Sequence, residues 1–100
     1  MHVISKKALR AFWERQGRAR DPLVQWHKVV SRTDFASFPD LKGTFRSVDY
    51  VPPFTVFDVG GNNWRIVTAI HYNARRVYIR HVFDHAEYDA WSRAMRKKRK

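Results

Sequence analysis

The sequence predicts a single α+β domain: two N-terminal helices packed on a small antiparallel sheet with a mixed edge, closed by a short C-terminal helix. Three observations carry this reading. Apolar residues recur at helical spacing early in the chain, as Ala8, Leu9, Phe12 and Trp13 and then Leu23, Trp26 and Val30. From Phe54 onward they alternate with polar residues at the period of a strand. The helical period returns in Tyr88, Trp91 and Met95. With 100 residues, 44% hydrophobic and 15% aromatic, the chain can bury one core but hardly two. The expected division is a domain over 1–95 and a basic tail over 96–100.

Met1 to Ile4 reads as a short edge strand. Ser5 is placed to cap a helix running to about Gln16, with Lys6, Lys7, Arg10 and Glu14 outside, and Gly17 to stop it. Asp21 before Pro22 predicts a second start, because an aspartate caps free amides and proline is tolerated at the first helical position. His27 falls on that helix's inward stripe, so a partly buried structural histidine is expected there. Thr33 to Phe45 is too irregular for a long element and predicts a short helical turn and a connection. Ser47 to Val51 begins the sheet, and Pro52-Pro53, without ladder amides, marks an edge or bend. Phe54 to Val59 is a strand, and Gly60-Gly61-Asn62-Asn63 tolerates the positive φ of a hairpin turn.

The chain is organised around Asp58 to Asp89. Trp64, Ile66, Ile70 and Tyr72 point one way from their strand, and Arg65, Val67, Ala69 and His71 the other. After a turn at Asn73 to Arg75, strict alternation puts Val77, Ile79 and Phe83 on one face and Tyr78, Arg80 and Val82 on the opposite one. The expected product is a sheet with an apolar back and a basic front. Asp84 and Glu87 make a D-x-x-E capping signature for the last helix, and Asp84, His85, Glu87, Tyr88 and Asp89 crowd acid/base groups into one corner.

Twenty Lys/Arg oppose nine Asp/Glu, a net charge of +11. Without Arg96 to Lys100, fifteen cations still face the same nine acids, a net +6, so the excess belongs to the folded body as well as the tail. Such a balance favours a polyanionic partner, nucleic acid before an acidic protein or an anionic membrane. The absence of cysteine removes disulfides and thiolate catalysis and fits a reducing cytoplasm. The polar N-terminus and the lack of a long apolar run argue against a cleaved signal and a membrane span.

In order and spacing, MHVISKKALRAFWE, the Leu41-Lys42 step, Ser47 to Asp49, WRIVTAIHY from Trp64, VYIRHV from Val77 and HAEYD from His85 resemble the HigB family of type II toxin–antitoxin systems, within the RelE superfamily. The resemblance spans nearly the whole chain. It departs at Pro53 and Phe54, where such toxins often carry a basic residue, and at Gly60 and Asn63, where lysine is absent. It implies a RelE-like fold and an mRNA endoribonuclease (an mRNA interferase) that inhibits translation, usually on the ribosome. It also implies neutralisation by a cognate antitoxin with a helix-turn-helix domain.

Metal-independent cleavage through the 2′-OH needs a base, cations for the charge gathering on phosphorus, and an acid for the departing 5′-oxygen. Arg65, in the WRI step matching the family's catalytic strand, is assigned phosphate stabilisation, and Arg80 is a second clamp. His85 is the proton-transfer group, since imidazole titrates near neutrality. Tyr88 either stacks on a base or donates a proton. His71 is given a supporting role in RNA binding, and Arg96, Lys97, Lys98, Arg99 and Lys100 contact phosphates. No cofactor is expected. His71, His81 and His85 do not make a zinc site, because strict alternation sends His71 and His81 to different faces. Two readings compete with the enzyme: a non-catalytic RNA- or DNA-binding module, for which charge and aromatics suffice, and a degenerate toxin retaining only antitoxin binding.

Overall fold

The computed structural model describes residues 1–98. The elements run β1 (His2–Ile4), α1 (Lys6–Arg15), a 3-10 turn (Gly17–Ala19), α2 (Arg20–Arg32), α3 (Phe38–Thr44), β2 (Asp49–Val51), β3 (Phe54–Val59), β4 (Trp64–His71), β5 (Arg76–Asp84) and α4 (His85–Lys98). One five-stranded sheet has the order β1-β5-β4-β3-β2. The three hairpin pairs are antiparallel and β1 joins β5 in parallel, which makes the edge mixed as expected.

The helices form where the apolar stripes lie, but two starts differ from expectation. Ser5 precedes α1 without a side-chain cap bond. Helix α2 begins at Arg20, so Asp21 sits in its first turn, where it favours the positive helix end without capping it. The preceding 3-10 turn already directs the chain into α2 and leaves no separate cap to fill. By contrast, Ser37 does cap α3, accepting from the Asp40 amide at 3.4 Å, while the Asp40 carboxylate accepts from the Ala36 amide at 2.9 Å. The D-x-x-E signature closes both ways at α4, with Asp84 N–H donating to Glu87 at 2.9 Å and Glu87 N–H to Asp84 at 2.8 Å.

The main core lies between α1 to α3 and one face of the sheet. Leu9, Phe12, Leu23, Trp26, Val30 and Leu41 pack there with Phe57, Trp64, Ile66 and Val77, and Ile70 and Tyr72 lie against them. Phe57 takes Trp26 and Phe45 edge-on at centroid distances of 5.2 and 5.1 Å. Each such burial contributes about 1.5–3 kcal/mol, which fixes Trp64, Ile66 and Ile70 on the helix side and Arg65 on the other.

Strict alternation fails in β5. Val67 pairs with His81 but Thr68 pairs with Ile79, so Arg80 is an extra residue in a β-bulge. Beyond the bulge the side chains change faces. Val82 joins Val77 and Ile79 against the main core, whereas Phe83 packs on the opposite side. His71 and His81 consequently share the second face, contrary to the expectation from alternation.

That second face is not the open basic front expected from the sequence. Helix α4 lies across it, and Val51, Val56 and Val67 form a smaller apolar cluster with Phe54, Phe83, Tyr88 and Trp91. A 14-residue helix presenting Tyr88 and Trp91 on one side has an apolar stripe to bury. Arg96, Lys97 and Lys98 belong to its last turn rather than to a frayed tail; Arg99 and Lys100 lie outside the described residues. No helix among the described residues is long and apolar enough to cross a membrane.

The β3–β4 turn has little freedom. Gly60 is at φ +63°, and a Cβ there would stand 2.4 Å from the Trp64 ring. Gly60→Ala is expected to destabilise the fold by about 2 kcal/mol or more, combining the left-handed backbone cost with displacement of a core tryptophan. Thermal unfolding checks this: at roughly 4–8 °C per kcal/mol for a chain of this size, the midpoint should fall by at least about 8 °C.

Candidate active site

Beneath α4, strands β2 to β4 leave an open cavity of about 390 Å³, lined by Lys42, Asp49, Asp58, Arg65, Tyr88 and Arg96, among others. Its floor is built by the hairpin. Asp58 and Arg65 are cross-strand partners, so both project toward α4. Arg65 is only 7% exposed. Its Nε meets Asp58 Oδ1 at 2.7 Å, Nη1 donates to the carbonyls of Asn62 and Trp64 at 2.9 and 3.3 Å, and Nη2 donates to Asn62 Oδ1 at 2.6 Å. Asn62 can present its carbonyl and side chain together because it adopts φ +79°. A guanidinium has five N–H groups, so these bonds leave one for anything else.

The Arg65 guanidinium lies 5.4 Å from the centroid of the Tyr88 ring, a cation–π contact from below. Burial pushes the Tyr88 phenol pKa up; Asp49 and Asp58 add to this, while Ser92 and Arg65 oppose it. The phenol is therefore held as a proton donor at neutral pH. Because the folded state binds this proton more tightly, the associated stability is complete below the ordinary value of 10.0. It is lost as pH rises through the elevated folded value. Melting temperatures followed from pH 8 to 11.5 should fall above about pH 10, and Tyr88→Phe should remove part of that fall.

Above the floor, Lys42 Nζ donates to the Val48 carbonyl at 3.0 Å and to the Arg46 carbonyl at 3.3 Å, which points a cation along the rim. Arg96 enters from the other end of α4, two turns beyond Tyr88 on the same side of the helix. At the start of α4, His85 Nδ1 meets Asp89 Oδ2 at 3.1 Å, one turn on. With Nδ1 engaged by the carboxylate on a side chain that is 55% exposed, Nε2 has no hydrogen-bond partner among the described residues. Helical spacing puts His85, Asp89 and Arg96 on the same flank, beside Tyr88.

Arg65, Tyr88 and Arg96 are thus brought together. His85 stands one turn from Tyr88 and does not line the cavity. Arg80 is elsewhere: it sits in the bulge beside Ala8, Phe12 and Arg15 of α1, its guanidinium 5.6 Å from the Tyr78 ring. His71 is at the far end of β4, edge-on to Tyr78 at 5.2 Å. His81 stacks on Phe83 at 4.9 Å, and burial, with Arg80 beside it, lowers its pKa. Among the described residues no group of three or more His, Cys, Asp and Glu is arranged to hold a metal ion.

Sequence reasoning missed Lys42, Asp49, Asp58 and Asn62. The signal for Asp58 was present, since positions 58 and 65 are equidistant from the centre of the Gly-Gly-Asn-Asn turn and hairpin pairing alone sets them opposite. Asp49 and Lys42 come from segments too short and irregular to be placed on a face in advance.

Residues 19–91 match the HigB_toxin family, described as the RelE-like toxic component of a toxin-antitoxin system. The chain belongs to the HigB toxin family. Among its relatives, the mRNA interferase toxin HigB of Escherichia coli (strain K12) is 34% identical over 103 residues, covering 100% of this chain and 99% of the relative. The mRNA interferase HigB of Shigella flexneri shows the same identity and coverage. That of Escherichia coli O6:H1 is 31% identical, with 96% of each chain covered. HigB membership agrees with the helices-on-sheet architecture.

Proposed function

We propose that this HigB chain is an endoribonuclease that cuts messenger RNA and so inhibits translation as the toxin of a type II system. The observation that carries the reading is an imidazole oriented by Asp89, with Nε2 free, one helical turn from a protonated phenol above a fixed guanidinium. The names of its relatives support the same substrate class. In this reading His85 takes the proton of the 2′-OH and Tyr88 protonates the departing 5′-oxygen. Arg65 supplies fixed charge and its remaining N–H, while Lys42 and Arg96 hold phosphates. The chemistry uses protein groups alone and needs no metal.

The ribosome is the proposed setting. Lys6, Lys7, Arg10, Arg15, Arg18 and Arg20 are exposed on the helical layer, away from the cavity, and give a second surface for a polyanion. The cytoplasm is the corresponding compartment, and a cognate antitoxin with a helix-turn-helix domain is the neutralising partner. The deciding experiment incubates purified protein, before and after chelator treatment and desalting, with a defined message in the presence and absence of translating ribosomes. Cleavage that needs ribosomes and is unchanged by prior chelator treatment of the protein supports the full reading. Binding without cleavage in every condition would make the chain a binding module.

A further inference from the structure

A second depression lies on the other side of the edge strand β2. Asp49 faces the cationic cavity, and the next residue, Tyr50, faces a pocket of about 380 Å³ that it lines with Phe38, Pro53, Thr55, Ile70 and Tyr72. Tyr50 is 53% exposed, the large hydrophobic residue left uncovered among those described, and its ring is 6.0 Å from that of Phe38. Tyr72 Oη is buried with no hydrogen bond of standard geometry among the described residues; the Thr55 side chain acts on it as a weak hydrogen-bonding neighbour, which lowers the phenol pKa against the larger rise from burial. A buried hydroxyl without a partner costs stability unless a ligand completes it. Lys42 joins the two depressions, since it lines the cavity while its Nζ stands 6.0 Å from the Phe38 centroid.

We propose that this pocket is a subsite for one unpaired nucleobase of the RNA whose backbone crosses the cationic cavity. This deepens the ribonuclease reading and rests on it. Tyr50 and Phe38 offer π-faces, the Tyr72 hydroxyl offers a hydrogen-bonding group to the base edge, and Lys42 meets a phosphate as the strand rounds β2. An unpaired base can be splayed out and stacked on aromatic side chains in this way. A purely apolar protein anchor would leave both the Tyr72 hydroxyl and the adjoining cations unused, which favours RNA over a protein segment here.

The test uses a 2′-O-methyl hexanucleotide, which cannot be cut through the 2′-OH, and a set of versions each lacking one base, titrated at low salt into the full chain. Stacking on an aromatic ring contributes on the order of 5- to 150-fold in affinity per base. Tyr50→Ala should weaken the intact probe by about tenfold or more, Tyr50→Trp should restore it, and one base-lacking version should bind wild type and Tyr50→Ala equally. Equal binding of the intact probe by wild type and Tyr50→Ala overturns the subsite, and if Arg96→Ala still weakens binding the cavity reading survives. Loss of neutralisation by the antitoxin in Tyr50→Ala, with RNA binding unchanged, would assign the pocket to a protein partner and also overturn the proposal. A wild-type chain that binds no probe overturns it as well; growth arrest on induction then tells whether the ribonuclease reading falls too.

Discussion

Arg65→Ala is expected to lose stability as well as activity. The side chain ties Asp58 to the Asn62 turn from a nearly buried position, and its removal leaves the Asp58 carboxylate without its partner and the exposed Asn62 turn without its anchor. Breaking a buried pair by deleting one partner costs about 3–5 kcal/mol. The lower end applies here because Asp58 retains 28% exposure. Denaturant unfolding should show a lower midpoint, and the melting temperature should fall by more than about 10 °C. Arg65→Lys should recover part of this, since it keeps the charge but lacks the fork that engages Asn62. An Arg65→Ala protein that melts with the wild type would mean that the Asp58 pair contributes nothing to the fold.

His85→Ala is expected to have the opposite profile. The residue is exposed and pairs with the half-exposed Asp89, so its loss should change stability by no more than about 0.5 kcal/mol. General acid–base catalysis is typically worth 10²- to 10⁴-fold, so cleavage and growth arrest should drop by that order while RNA binding is nearly unchanged. Asp89→Asn should give a smaller loss in the same direction, because it keeps the helix but removes the charge that orients the imidazole. A folded His85→Ala chain that remains fully toxic makes His85 structural and moves the base elsewhere.

The contrast between these variants also marks what was legible in the sequence. Helical and strand periods were enough to place Phe12, Trp26, Trp64 and Ile66 in one core, and the Gly-Gly-Asn-Asn turn was readable because few residues accept its backbone. The faces of β5 were not, since a single bulged residue at Arg80 reverses everything beyond it and leaves no mark in composition. Arg80 was accordingly credited with a role beside Arg65 that its position beside α1 does not support. The covering of the second face was also hidden. Tyr88 and Trp91 announced an apolar stripe on the last helix, but nothing local stated which side of the sheet it would bury. Once α4 lies there, Arg65 becomes a buried, largely satisfied cation, and Arg96 leaves the tail to join the cavity.

The ends left on the cut RNA test the central claim most directly. Attack by the 2′-oxygen, with His85 as base and Tyr88 as acid, leaves a 2′,3′-cyclic phosphate on one fragment and a 5′-hydroxyl on the other. Mass analysis of fragments from a defined message should show these ends, and a single 2′-deoxy substitution at the cut nucleotide should abolish cleavage there. Fragments bearing a 5′-phosphate and a 3′-hydroxyl, or unimpeded cutting at the 2′-deoxy position, would contradict the account.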